Sequence, residues 1–531
     1  MPTGRADVAP PATYLSENAI EVAASNRDAR CPIRFAAAAA AVSIRISEMK
    51  SLPDQNSVSH ATAADRLSEG VLGSVDITFM VLAVAAPMAI VVATMPIAFA
   101  LGNGMGVAGT YVLSGLAIAL FAIGYVRLLP FIRNAGAFYA IISQTFGRVA
   151  GLAGSYVALV SYVSLCCATL GALSYFVTSL LHSCGIDFAH WGVIALAVIA
   201  ILAALSYFRI DFTAKLLAIA LGSEVIAILV LDVAILIADG LGSPARIFAP
   251  SVVLGPGLGV SAIYAFNSVI GFEATAIYQE EARDPEVSIP RATYAAIAII
   301  CLFYVFTAYA FIVASAPDVS AAAGNDPGQF VFGLAGRYVG PQGEAILSML
   351  VISSAFAAVL GLFNNSARYV FALARDGALP ARLARTRHGN GAPFNAGLPV
   401  ILVLSVVISL FALAGLDPLL SLTTALTGFG SVGLMALLSI TAFAIPLFLR
   451  ERTGRLGGMA LFPFAGGVML LTGTVLSVAN YSLLTGTDST FINRLPALLL
   501  VIAAAGMGQA LVLRRRYPAI YDRIGLSQVA G

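Results

Sequence analysis

The stretch Tyr264-Ala-Phe-Asn-Ser-Val-Ile-Gly-Phe-Glu-Ala274 decides how the chain is read, together with its continuations Glu280-Glu-Ala-Arg-Asp-Pro285 and Ile289-Pro-Arg-Ala292. It begins as an apolar helix of the kind that enters a bilayer. Gly271 interrupts it near the middle, and the carboxyl of Glu273 follows two residues later. Hydrocarbon holds no water to satisfy the backbone groups that a break frees, so breaks at membrane depth line cavities inside the protein. An ionisable side chain at that depth marks a functional site. The segment reads as one half of a substrate site, and the other half must lie elsewhere.

The bulk composition agrees. Of 531 residues, 59% are hydrophobic and 11% are charged, with a mean hydropathy of +0.92. Soluble domains carry about 25% charged residues, so the expected class is an all-α polytopic membrane protein. A net charge of +2 gives no reason to expect a nucleic-acid partner. The five cysteines show no metal-ligand spacing. Cys166 and Cys167 are adjacent in one apolar run and Cys301 lies in another, which reads as small packing residues with no disulfide framework. No phosphate-binding glycine loop, metal-ligand cluster or nucleophile triad is found, so neither enzyme activity nor a cofactor is expected.

Apolar segments follow one another at about 76–101, 107–129, 147–181, 191–208, 213–238, 258–280, 292–315, 343–374, 398–415, 419–449, 459–483 and 495–513. A crossing helix needs about 20 residues, so this predicts about 12 transmembrane helices. Residues 71–515 are expected to form the transmembrane domain. Ahead of it, residues 1–70 read as a disordered cytoplasmic tail, with Met49 as an alternative start; residues 516–531 form a short cytoplasmic tail. Arginine and lysine set the orientation. Arg127, Arg133, Arg148, Arg209, Lys215, Arg283, Arg291, Arg368, Arg375, Arg382, Arg385, Arg387, Arg450, Arg452 and Arg455 flank the even-numbered loops, and Arg514, Arg515 and Arg516 follow the last helix. The odd-numbered loops hold mainly acidic residues, with Arg246, Arg337 and Arg494 against them. Both termini are thus expected in the cytoplasm, with the protein in the cytoplasmic membrane.

The partner of the Gly271 break is in the first helix, at Ala85-Ala-Pro-Met-Ala89. Proline lacks the N–H and clashes with the preceding turn, so the helix kinks or breaks there. Pro87 suits the first position of a new half-helix, where the missing donor costs little. Two interrupted helices in corresponding positions point to an inverted-repeat transporter with its site at the midplane. Glu273, in the first turn after the second break, either caps that half-helix through its dipole or meets a substrate ammonium or a proton. Glu224 sits near mid-depth in the fifth helix, where a lone carboxylate costs a few kcal/mol unless protonated or paired. Asp232, nearer the outer end, reads as a snorkelling or paired carboxyl.

Several of these motifs resemble one family. Gly271-Phe-Glu-Ala with Glu280-Glu-Ala-Arg-Asp-Pro and Ile289-Pro-Arg-Ala is similar to the sixth-helix signature of the amino acid–polyamine–organocation (APC) superfamily permeases. Arg133-Asn-Ala-Gly-Ala-Phe-Tyr-Ala resembles the second-loop pattern, and Ser366-Ala-Arg-Tyr, Phe371-Ala-Leu-Ala-Arg-Asp-Gly-Ala-Leu-Pro and Pro393-Phe-Asn-Ala resemble the end of helix eight and its following loop. The resemblance runs over roughly 70–450 in the same motif order. It implies a LeuT-type fold: a 5+5 inverted repeat, about 76–238 and 258–449, with helices 1 and 6 interrupted and helices at about 459–513 appended.

The resemblance also implies roles. Substrate would lie against Ala85, Ala86, Pro87, Met88 and Ala89 of helix 1 and Phe266, Asn267, Gly271 and Glu273 of helix 6, with Tyr264, Phe266 and Phe272 as the gate. Family amino acid carriers usually have a glycine-rich break in helix 1; here Pro87 offers no donor. Glu224 matches the fifth-helix position that carries a lysine in proton-coupled relatives, which makes it, with Glu273, the candidate coupling group. Ser353 and Ser354 match the adjacent hydroxyls that hold sodium in other relatives. The expected function is secondary active transport of an amino acid or related amine, as proton-coupled import in preference to sodium coupling. The alternatives are a polyamine carrier, an exchanger, or a sensor that binds substrate without moving it.

Overall fold

The computed structural model describes residues 73–131, 137–183, 185, 190–208, 214–272, 275, 282–385, 394–453, 458–485 and 493–525. All belong to the second of two compact units, 67–531. The expected tail and the choice between Met1 and Met49 lie outside the described residues.

The regular elements among the described residues are helices. In chain order the main ones are α1 (Ser74–Leu101), α2 (Gly104–Leu128), α3 (Arg148–Ser183), α4 (Trp191–Phe208), α5 (Ala214–Asp239), α6 (Leu258–Val269), α7 (Pro285–Ala314), α8 (Pro341–Arg375), α9 (Phe394–Leu413), α10 (Pro418–Arg450), α11 (Leu461–Ala479) and α12 (Leu495–Arg516). Ten of them are long and apolar enough to cross a membrane, and α4 and α6 are shorter apolar helices. The expected spacing holds, with two differences. The segment expected at 258–280 ends as a helix at Val269, and α7 starts at Pro285 instead of residue 292. Proline at the first helical position costs nothing in backbone bonds, which lets α7 begin at the Asp284-Pro285 step.

Burial divides the bundle. α1 and α3 are enclosed, whereas α9 and α12 turn most of their surface outward. α3 packs against α8, α10 and α12, and α2 against α6, α7 and α11. Small residues let α3 approach its neighbours. A Cβ on Gly430 of α10 would stand only 2.8 Å from the Ser161 carbonyl oxygen of α3. In lipid, close backbone approach of this kind replaces the hydrophobic drive that water supplies elsewhere. Outward residues such as Ile237, Leu302, Leu413 and Leu500 are exposed and apolar, as a surface facing hydrocarbon requires.

Candidate functional site

Both expected breaks are present. α1 runs as a regular helix over Ser74–Ala85 and restarts at Pro87. Between them Ala86 has φ 43° and ψ 67°, the left-handed conformation. Among the described residues it is the one non-glycine with positive φ. The proline ring disfavours the right-handed helical region for the residue before it; the left-handed conformation, in place of the extended one, comes from how the two halves of α1 are held. The left-handed conformation costs an alanine about 1–2 kcal/mol. Strain of this kind persists where surrounding structure over-determines it, and it clusters at functional sites. Beyond Ala89 the helix widens into a π turn over Ile90–Thr94, then continues from Met95. Pro96 has no N–H to offer the preceding turn, and the wider turn carries the chain past it.

α6 ends at Val269; the Ile270 N–H closes onto the Phe266 and Asn267 carbonyls at 3.2 Å each. Gly271 follows at φ 119°, a conformation open to glycine. Phe272 and Thr275 continue the chain, Thr275 donating to the Phe272 carbonyl at 2.8 Å and accepting from Thr293 of α7 at 3.0 Å. Glu273 lies outside the described residues, as do 276–281.

Three helices meet at the start of the second half of α1. Glu224 of α5 is buried and faces the Met88 N–H and the Ser354 hydroxyl of α8. Ser354 in turn accepts from the Ala89 N–H at 3.3 Å. A half-helix begins with unsatisfied N–H groups and a positive dipole end. Here a hydroxyl from α8 takes one of them, and a carboxylate from α5 is buried facing another. Ser353 does not join its neighbour: it is exposed and donates to the Leu350 carbonyl at 2.9 Å. The adjacent pair therefore does not converge, because successive helical residues point about 100° apart. The Ala86 carbonyl accepts from the Ile90 N–H at 3.1 Å.

A cavity of about 60 Å³ lies beside the break. Its walls include Ala85, Ala86 and Ala89 of α1 and Asn267 of α6. Sequence reasoning missed the remaining walls, among them Thr94, Thr169 of α3, Ile270, Leu362 of α8, and Thr423 and Thr427 of α10. The signal was present in the threonines and small residues of Cys166-Cys-Ala-Thr-Leu-Gly-Ala172 and Thr423-Thr-Ala-Leu-Thr427. The three gate aromatics are not among the lining residues of the cavity. Phe272 packs edge-on against Phe121 and Tyr125 of α2, with centroids 5.9 and 6.2 Å away. Phe266 lies against Gly473 of α11, and Tyr264 is fully buried. Asp232 is buried and takes the Thr307 hydroxyl of α7 at 2.7 Å, so it pairs and does not snorkel. A larger cleft of about 400 Å³ lies at the loop end of α1, lined by loop residues such as Asn103, Gly255 and Pro317, away from both breaks.

The sequence profile of the family described as "Amino acid permease" matches residues 72–504. The branched-chain amino acid permease of Lactococcus lactis is 26% identical over 58% of this chain and 69% of its own length. The methylthioribose transporter of Bacillus subtilis is 24% identical over 56% and 65%. The Asc-type amino acid transporter 1 of Mus musculus is 24% identical over 57% of each chain. Among solved structures, a manganese transporter of Eremococcus coleocola superposes with a TM-score of 0.52 at 14% identity, covering 87% of this chain and 99% of that one. A likeness at that identity shows the fold alone, which is of the LeuT type with its first and sixth helices interrupted.

Proposed function

Because the chain belongs to the amino acid permease family, we propose that it carries an amino acid or related amine across the cytoplasmic membrane by secondary active transport, taking it up with a proton. It is a multi-pass membrane transporter and not an enzyme. Relatives named for branched-chain amino acids and for Asc-type amino acid transport support the amino acid side of this reading. A relative named for methylthioribose shows that the same scaffold also serves a different cargo. The arginine-rich loops support cytoplasmic termini.

The observation that carries the coupling is the meeting of Glu224, Ser354 and the Met88 and Ala89 N–H groups. The positive end of a half-helix stabilises a carboxylate. A proton taken up by Glu224 cancels that charge and loosens its hold on the second half of α1. Protonation and the position of α1 are then linked, and a bound ligand shifts a conformational equilibrium only through such a difference between states. Proton is favoured over sodium because Ser353 turns away and Ser354 Oγ is taken by the Ala89 N–H.

The test is uptake of a labelled amino acid and amine panel into proteoliposomes, with proton and sodium gradients imposed separately. Accumulation should follow the proton gradient. Accumulation driven by sodium alone would overturn the coupling, and counterflow without accumulation under either gradient would make the protein an exchanger.

A further inference from the structure

Asn267, in the last turn of α6, stands in the wall of the cavity beside the α1 break. Its Oδ1 takes the Ser431 hydroxyl of α10 at 3.3 Å. Ser431 is fully buried and its hydroxyl makes no other hydrogen bond among the described residues, so its hydrogen fixes the oxygen end of the amide. The Asn267 NH2 has two hydrogens to give. It makes no hydrogen bond among the described residues and is left to the cavity. Thr427 lies about one turn before Ser431 on α10, so the two side chains share a helix face. Its hydroxyl is also without a hydrogen bond among the described residues, and it lines the same cavity. An amide and a hydroxyl from two helices therefore meet the cavity with free hydrogens.

The other threonines of the wall are spent as donors. Thr94 donates to the Ile90 carbonyl at 3.0 Å, Thr169 to Leu165 at 2.9 Å, and Thr423 to Ala168 at 2.8 Å. A hydroxyl whose hydrogen is committed presents only lone pairs. Transporters with broken helices can receive an anionic group at a half-helix N-terminus, but here the Ala89 N–H goes to Ser354 Oγ at 3.3 Å and the Ile90 N–H to the Ala86 carbonyl at 3.1 Å. Met88 is not among the lining residues. Among the described residues that line the cavity there is no charged side chain, and an unpaired charge buried against such a wall bears a large desolvation cost.

Resting on the transport reading above, we infer that Asn267 and Thr427 hold the carboxylate of a zwitterionic amino acid with an uncharged side chain, and that Ser431 is the positioning residue of this pair. The carboxylate takes hydrogens from both groups, in bonds that its charge strengthens. The ammonium of the same molecule donates to the threonine oxygens. Each end of the zwitterion is matched, whereas a side chain with a charge of its own finds no partner.

The experiment is competition binding to the purified full chain in nanodiscs. The compounds are glycine, alanine, serine, valine and leucine, each beside its carboxamide, with lysine and glutamate added. The carboxamide keeps the size and the ammonium and loses the negative charge. The wild-type protein should bind one of the five neutral amino acids best, at least about tenfold more tightly than its amide. Asn267→Asp keeps the acceptor for Ser431 and sets a like charge against the carboxylate, so it should cut that preference at least about tenfold. Thr427→Val removes the hydroxyl at nearly constant shape and should cut it several-fold, whereas Thr427→Ser should keep it. Ser431→Ala should lower it as well, because the amide is no longer held. A general loss of stability does not move the ratio of amino acid to amide, so either Asn267→Asp or Thr427→Val decides if only one of them folds. An unchanged ratio in that variant, an amide bound by wild type as tightly as its amino acid, or lysine or glutamate bound best overturns this inference and leaves the transport reading standing. Binding of no compound in the set overturns both.

Discussion

Ala86 and Pro87 show how one dipeptide sets a site. The proline disfavours the helical region for Ala86, and Ala86 answers with a left-handed conformation that an L-residue adopts at a cost. Replacing Ala86 with glycine removes the Cβ that makes this conformation expensive. Ala86→Gly should raise stability by about 1 kcal/mol, net of the glycine's own chain entropy, read as a higher melting temperature in detergent with uptake retained. Pro87→Ala acts in the opposite sense on function. It restores an N–H and releases residue 86, so the helix can close, and uptake should drop severalfold while expression and insertion stay normal. Unchanged kinetics would reduce Pro87 to a tolerated kink. These positions were legible in the sequence because proline acts on its immediate neighbours. The placement of Phe266 and Phe272 was not legible. Which way an aromatic points after a break depends on the rotation of the new segment, and no local residue type encodes that. Ser353 and Ser354 illustrate the same limit: adjacency in sequence does not put two hydroxyls on one helical face.

At the scale of elements, the breaks in α1 and α6 followed from Pro87 and Gly271, but the contact that joins α1, α5 and α8 needed the fold. Glu224 was singled out for its depth; that it is buried where α5 packs against the second half of α1 is a tertiary fact. Another contact of this kind involves the chain's last described segment. After α12, a short helix at Pro518–Tyr521 leads to Asp522, whose carboxylate meets Arg148 at 2.6 Å, and Arg148 also lies over the Tyr521 ring. Gly525 donates to the Tyr139 hydroxyl at 2.6 Å, and Tyr139 donates to the buried Asp376 at the end of α8. Burial, reinforced by the Asp376 carboxylate, pushes the Tyr139 phenol up, so it stays a donor. A raised folded value means its contribution is full below the unfolded phenol value of about 10 and is lost as pH climbs past it. The two contacts should differ in weight. Tyr139→Phe leaves a buried carboxylate short of a donor and should cost about 1–3 kcal/mol. Asp522→Asn breaks a half-exposed pair and should cost about 0–1 kcal/mol. Thermal melts of the two variants side by side test this, and equal losses would contradict it.

For the whole molecule, composition and apolar spacing were enough to give an all-helical membrane protein with the observed spans. Length and hydropathy are global properties that any twenty-residue window reports. The small central cavity was only half legible. Its α1 and α6 walls were read from the breaks, whereas its α3, α8 and α10 walls come from packing among helices distant in sequence. Orientation rests on the distribution of arginine. Gln342, in the first turn of α8, and Arg382, beyond its other end, are both exposed. Single cysteines at these positions in a cysteine-free background should label differently with an impermeant maleimide. Gln342→Cys should react in intact cells and Arg382→Cys only after permeabilisation; the reverse pattern would invert the topology.

The central claim is that Glu224 links protonation to the movement of α1, and it is tested most directly by Glu224→Gln in proteoliposomes. Gln is the nearest mimic of the protonated carboxyl in size and shape. With the best-transported ligand of the panel, the wild-type protein should accumulate cargo when only an inward proton gradient is imposed. The variant should still exchange labelled for unlabelled cargo across the bilayer, yet fail to concentrate it. If Glu224→Gln concentrates cargo as well as wild type under a proton gradient alone, Glu224 is not the coupling group and the account of the α1 break is wrong.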